Sequence, residues 1–184
     1  MPVISIAVPS ESVLIRADRR LSFELLSAFR SLRSNPVRSI RVLERDDDNN
    51  RVLAEFSSPV HLPFGKTLTL RTIESVKFFE PERIEFVLPK PSWTFAVLED
   101  RFTLEDVEGW TRLRYESRFA LPGWIFGWVV GKLVVQRMVK QHMREHLAEL
   151  REKIETRAKR SRVYRFPQDI PLELRHEQVG IASL

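Results

Sequence analysis

The 184-residue sequence predicts an α+β protein in which a curved antiparallel sheet closes on one long C-terminal helix. Three observations predict it. From Trp124 to about Ala158 one helical run follows the Pro122-Gly123 break, and its inner line reads Trp128, Val135, Val139, Met143, Leu147, Leu150 and Ile154. These lie mostly three or four residues apart, so an apolar stripe runs along most of the helix. Ahead of it, strand patterns follow one another with little but turns between them, as in an antiparallel meander. The last of them, Trp110 to Leu121, alternates Leu113, Tyr115, Phe119 and Leu121 with Arg112, Arg114, Glu116 and Arg118, giving one buried and one charged face. The long helix is the element left to cover that buried face. At about 1.5 Å per residue it measures roughly 52 Å, against about 36 Å for the strand, so its last two or three turns are expected to overhang the sheet.

In chain order, residues 1–11 form an N-terminal arm, with a short strand pattern through Val3, Ile4, Ile6 and Val8. The domain proper spans 12–160 and opens with a strand at Val13, Leu14 and Ile15. Asp18 is an N-cap for a helix through Leu21, Phe23, Leu25, Leu26 and Phe29, and Pro36 stops a further short helical turn around Leu32. Strands at Val37 to Glu44 and Arg51 to Phe56 flank the turn-forming cluster from Asp46 to Asn50. Three consecutive aspartates there lack the alternating spacing and closing glutamate of a calcium loop. Gly65 introduces a strand from Thr67 to Val76. Pro81 separates it from Ile84 to Leu88, where Ile84, Phe86 and Leu88 face opposite to Glu85. Pro89 and Pro91 punctuate the next connection, and Phe95 to Leu104 then pairs with Trp110 to Leu121 around Glu105 to Gly109. Residues 161–184 carry Pro167 and Pro171 and no period, and read as an extended tail. Its Tyr164, Phe166, Ile170, Leu172 and Leu174 suit docking either on the domain or on a second subunit.

Composition narrows the function classes. With 43% hydrophobic residues and no cysteine, the chain supports one well-cored domain and excludes disulfide and thiolate chemistry. The N-terminus carries no signal-peptide pattern, which leads to the expectation of a cytoplasmic protein. The longest apolar run, Leu121 to Val135, is fifteen residues with Lys132 inside it, short of the roughly twenty a membrane span requires. The net charge of +5 is concentrated in Arg151, Lys153, Arg157, Lys159, Arg160, Arg162 and Arg165, which suits a helix C-terminus. No nucleic-acid fold signature accompanies that patch, so nucleic acid is not an expected partner, and peripheral contact with an anionic membrane remains one.

A strand, two short helices, six antiparallel strands and a long C-terminal helix, β-α-α-β6-α, resembles the START-related helix-grip superfamily, called SRPBCC, with its polyketide cyclase/dehydrase-like members. The segments "VLIRADRRLSFELL", "VKFFEPERIEFVL", "RFTLEDVEGWTRLRYESRFALPG" and "VVQRMVKQHMREHLAELREKIE" carry the resemblance, over roughly Ser12 to Arg157. It implies a cavity between sheet and helix for a lipid, sterol, quinone, polyketide or other apolar molecule.

Packing leads to the same place. A curved sheet closed by one helix leaves a hollow that is filled either by its own side chains, here twelve Phe and four Trp, or by a guest. The expected lining is Phe86, Phe102, Leu113, Tyr115, Ser117, Phe119, Trp128, Val135, Val139 and His142, with Tyr115, Ser117 and His142 as the orienting polar groups. An entrance is expected at Trp93, Trp124, Gly127 and Gly131. The two glycines lie one turn apart, and Trp124, Ile125, Phe126, Trp128, Val129 and Val130 surround the helix, so some of them must face a membrane, a donor or the tail. His142, Glu145 and His146 spell H-x-x-E-H, but the distant third zinc ligand of that motif would have to come from the 38 residues after His146, a tail without helical pattern, and the letters read as the polar side of the helix; no metal or cofactor is expected. Binding, transport or sensing of a small hydrophobic ligand is the expected function, with no catalytic residue assigned. The alternative is a cyclase/dehydratase-type enzyme using the same cavity, with His142 and Tyr115 as acid/base groups.

Overall fold

The structure, a computed structural model, describes residues 4–28, 39–61, 67–122, 136–161, 163 and 167, without the side chains at 58–61, 67, 68 and 138. Seven strands form one antiparallel sheet: β1 (Ile6–Ile15), β2 (Ser39–Asp46), β3 (Arg51–His61), β4 (Thr67–Phe79), β5 (Arg83–Val87), β6 (Val97–Val107) and β7 (Trp110–Ala120). Their order is β1-β7-β6-β5-β4-β3-β2, so β2 to β7 run as a meander and β1 closes against the last strand. Among the described residues the helices are α1 (Arg19–Ser27) and α2 (Gln136–Arg160).

Turn chemistry sets the registers. Between β2 and β3 the Asp46 carboxylate accepts from Asn49 N at 3.2 Å and Asn49 Nδ2 at 2.9 Å, and Asn50 takes a left-handed φ of 49°. Between β6 and β7 only Glu108 (φ 52°) and Gly109 (φ 84°) separate the paired Val107 and Trp110. Two positive φ values in a two-residue turn match the twist of the flanking strands, and glycine meets that requirement without strain.

The first strand departs from expectation. The boundary placed after residue 11 falls inside β1, which begins at Ile6 and pairs with β7 from Ile6↔Phe119 to Ile15↔Thr111. A bulge between Val8 and Glu11 shifts the register there, and it breaks the sequence period at Pro9-Ser10, which is why two pieces were expected where one strand exists. Ile6 and Val8 are buried beneath α2. The bulge also brings Glu11 to α2, where its carboxylate meets Lys140 Nζ at 3.4 Å and Arg144 Nε at 3.1 Å; the Arg144 bond above all holds its pKa below the usual range.

Asp18 caps α1 as its sequence implies, Oδ1 accepting from Arg20 N at 2.8 Å and Leu21 N at 3.4 Å. Leu21, Phe23 and Leu26 are buried, and Ser22 Oγ donates to Thr111 Oγ1 at 3.2 Å, which itself donates to the Ala17 carbonyl at 2.8 Å, pinning the helix to β7. Phe29, the turn around Leu32 and Pro36 lie outside the described residues.

On α2 the stripe of Met143, Leu147, Leu150, Ile154 and Ala158 is buried. The final turns do not overhang: Leu150, Ile154 and Ala158 share one core cluster with Leu21, Phe23 and Leu26 of α1, and Glu155 Oε1 accepts from Arg16 N at 3.0 Å. The short helix ahead of the meander fills the space beyond the sheet. Two residues of the basic end pair within the helix, Arg151 with Glu155 at 3.0 Å and Lys153 with Glu149 at 3.1 Å, at partly exposed positions where such pairs contribute little. Where the tail is described it returns to the domain, the Pro167 carbonyl accepting from Arg16 Nε at 2.6 Å.

Replacing Leu150, fully buried where α2, α1 and the sheet meet, by alanine is expected to lower stability by about 2–5 kcal/mol in urea unfolding. Glu11→Gln, at the partly exposed ion pairs, is expected to lose less than about 1 kcal/mol. Equal losses would show that the ion pairs, and not the apolar stripe, hold the helix.

Candidate functional site

The concave face carries two apolar clusters. The larger joins α1 and the C-terminal half of α2 to Phe56, Val76, Ile84, Phe86, Phe102, Leu104 and Leu113. The smaller joins Ile6, Val8, Phe119 and Met143, with Phe95, Leu98, Leu121 and Val139 packed against it. Tyr115 touches both. A row of rings crosses the face from β3 to α2: Phe56 to Phe86 at 5.9 Å, Phe86 to Phe102 at 5.8 Å, and Phe102 to Tyr115 at 4.5 Å between centroids. The His146 ring completes it, 6.0 Å from Phe102 and 6.3 Å from Tyr115. The first two contacts are edge-to-face, the arrangement the ring quadrupoles favour.

A polar layer lies against this row. Strand alternation turns Thr72 and Glu74 of β4, Asp100 of β6, and Tyr115 and Ser117 of β7 to the same face as the core residues Val76, Phe102 and Leu113. Register places Asp100 between Phe86 on β5 and Ser117 on β7. Thr72 Oγ1 donates to Glu74 Oε1 at 2.5 Å. The Ser117 and Tyr115 hydroxyls bond Asp100, while Asp100 Oδ1 is buried with no partner.

Burial dominates the electrostatics. Loss of hydration raises the Glu74 carboxyl to about 7, with a further push from the neighbouring Asp100 charge against the pull of Thr72. Asp100 is raised to about 6 by the same loss, opposed by the Ser117 and Tyr115 bonds. The Tyr115 phenol lies well above its ordinary value, through burial first and then the two carboxylates. Two inward carboxyls therefore titrate near neutrality. Asp100 and Tyr115 also keep accessible surface, although desolvation governs both.

Of the expected lining residues, Tyr115, Ser117, Phe86 and Phe102 meet along this layer and row. Leu113 and Phe119 are fully buried, at 0% and 1% exposed. Val139 is half-buried against the smaller cluster. The inward histidine is His146, 8% exposed, and not His142, whose side chain is 37% exposed with Nδ1 3.6 Å from Glu145 Oε2. His146 sits one position before Leu147 and three after Met143, close enough to the stripe to turn in, so its reading as part of the polar side of the helix is corrected. Trp93 is 71% exposed. Trp124, Gly127, Trp128, Gly131 and Val135 lie outside the described residues. Glu74 and Asp100 escaped the sequence reading, although their parity with Val76 and Phe102 carries the signal. Among the described residues no three metal-binding side chains cluster, and no helix is long and apolar enough to cross a membrane.

No family model matches the sequence, and no curated protein does. Solved structures do. TTHA0849 from Thermus thermophilus superposes with a TM-score of 0.68 at 20% identity, over 83% of this chain and 99% of that one. The Zhui aromatase/cyclase from Streptomyces sp. R1128 superposes at 0.63 and 14%, over 84% and 96%. A START superfamily protein from Mycobacterium smegmatis superposes at 0.60 and 18%, over 84% and 99%. The chain has the helix-grip fold of the START and polyketide-cyclase-like proteins. At these identities the likeness is one of fold.

Both inward carboxyls of this helix-grip protein hold their protons more tightly folded than unfolded. The stability these two groups contribute is therefore fully present below about pH 4, the ordinary carboxylate range, and is lost as pH rises through about 6 for Asp100 and about 7 for Glu74. Melting temperature is expected to fall between pH 5 and pH 8, and Glu74→Gln to flatten that fall and exceed wild type by about 1–3 kcal/mol at pH 8. A variant with the wild-type slope would show that Glu74 ionises without cost.

Proposed function

We propose that the protein binds a small, largely apolar ligand between the sheet and α2, with the ligand's polar end against Asp100, Tyr115 and Ser117. The observation that carries this is the state of Asp100 and Tyr115. Both retain accessible surface, and loss of hydration is the first cause that raises the pKa of each. A side chain facing an enclosed space too apolar for bulk solvent behaves in this way. Glu74 adds a second sign: a carboxyl 7% exposed destabilises the fold when ionised, and buried groups of that kind gather at functional sites. The helix-grip fold, shared with a START superfamily protein, supports the same reading.

A second reading is favoured by the same carboxyls. Groups titrating near 6 and 7 suit general acid and base catalysis at neutral pH, and the Zhui protein of this fold is an aromatase/cyclase. In that case Asp100 and Glu74, with the Tyr115 hydroxyl, take the acid/base roles in place of half-exposed His142. Either reading begins with occupancy of the same space.

Titration with Nile red, a neutral solvatochromic dye, is expected to give saturable blue-shifted emission near one equivalent. Ser117→Phe, which fills the space beside Asp100, is expected to lower its affinity at least tenfold. Equal binding to a folded Ser117→Phe protein would put the site elsewhere. Native mass spectrometry of material purified without detergent is expected to show an added small-molecule mass, and turnover of that molecule would select the enzymatic reading.

A further inference from the structure

The two ends of the sheet are finished differently. At one end α2 lies against β1: Gln136 Nε2 donates to the Ala7 carbonyl at 3.1 Å, and Lys140 and Arg144 meet Glu11. At the other, β2 has β3 on one side and no strand on the other. Among the described residues its backbone bonds nothing outside the β2–β3 ladder. A strand edge in this state presents unpaired N–H and C=O groups to any extended chain of matching register. Two large apolar residues stand in its middle, Val42 at 48% and Leu43 at 41% exposed.

Proteins blunt such edges with charges and bulges, and β2 has both, placed symmetrically. Before the bulge, register turns Ile40 and Val42 to the core side, opposite Phe56 and Ala54, and Ser39 and Arg41 away from it, opposite Ser57 and Glu55. Leu43 is the extra residue. After it Arg45 takes the core side, opposite Val52, while Glu44 and Asp46 face away, opposite Leu53 and Arg51. The order of faces therefore reads the same from either end of the strand, about a midpoint between Val42 and Leu43. In a regular strand Arg41 and Glu44 would lie on opposite faces, and the bulge puts both on the outer one. Antiparallel pairing sets same-face residues opposite each other. A second β2, related by a two-fold axis through that midpoint, thus sets Arg41 against Glu44 twice and Val42 against Leu43 twice. Ile40 then meets Arg45 and Ser39 meets Asp46, so no like charges are opposed. A slip of one residue either way opposes core-side to outer positions, and in one direction sets Arg41 against Arg45. Arg41, bonded to Glu55 at 2.9 Å, keeps 73% of its side chain exposed and can take a second carboxylate. Glu44 is exposed and pairs with no cation among the described residues.

We infer that β2 is a self-association edge, through which a second copy of this chain pairs antiparallel to join the two seven-stranded sheets into one across a two-fold axis. The assembly closes at two copies, because α2 lies against the far end of each sheet. One eight-residue edge makes a smaller contact than an obligate interface, so the dimer forms reversibly with concentration. It requires nothing of the ligand-binding reading above.

Sedimentation velocity of the full chain, at concentrations rising to about 0.5 mM, is expected to show a reversible monomer–dimer equilibrium. Arg41→Glu and Glu44→Arg each place like charges at both contacts, and each is expected to lower the association constant about tenfold or more. An equimolar mixture of the two variants is expected to restore it, because each supplies the charge the other lacks; damage to the strand itself would not be undone by mixing. A second measurement does not depend on charge. The chain has no cysteine, so Val42→Cys mixed with Leu43→Cys is expected to give the mixed disulfide-linked dimer in preference to either homodimer, read by intact mass. A wild type that stays monomeric throughout overturns the inference, as do polymers larger than a dimer. So does a dimer that neither charge reversal weakens, or one that mixing does not restore and whose cysteine variants do not cross-link, since its interface then lies elsewhere.

Discussion

A sheet with one apolar face must have that face covered, and here the cover is the buried stripe of α2, from Met143 through Leu147, Leu150 and Ile154 to Ala158. Every other feature of the molecule follows from how much of the face one helix can reach. Its C-terminal half, joined by α1, seals the end of the sheet into a continuous core of aliphatic and aromatic side chains. Nearer its start, Met143 and Val139 meet a smaller cluster that holds β1 and Phe119. Tyr115 packs against both clusters, and the polar layer lies on the same face of the sheet.

The polar layer is retained against stability. Glu74 has one hydrogen-bond partner on its own strand and a second carboxyl nearby, an arrangement that favours its neutral form and costs free energy when it ionises. Leucine or valine at that position would extend the apolar cluster around Val76. Keeping two carboxyls, a phenol and a hydroxyl where the fold alone would take aliphatic side chains fits a site better than a core. The aromatic row next to it has the opposite character. Its rings interlock from Phe56 to His146 and, half-buried Tyr115 apart, are buried within the core.

The helix-grip comparison separates architecture from chemistry. Structures of the same fold include an aromatase/cyclase and a START superfamily protein, at identities between 14% and 18%. What such chains share is the fold; the chemistry of each depends on which side chains its inward positions carry. In this chain those positions are Glu74, Asp100, Tyr115 and Ser117, spread over three strands that only the sheet brings together.

The sequence by itself determined the α+β class, the antiparallel meander, the Asp18 cap, both hairpin turns and the helical stripe, because each is written in local periodicity or in the backbone preferences of a few adjacent residues. Tyr115 and Ser117 were legible for the same reason, lying on the strand whose alternation is clearest. The bulge at Val8 to Glu11, the packing of the α2 end on α1, and the turn of His146 in place of His142 toward the sheet were decided by tertiary structure. So was the meeting of Glu74 with Asp100, separated by a whole strand and its turns. An isolated inward acid in a strand pattern looks like a defect in the alternation, and it becomes half of a site only when register sets another one beside it.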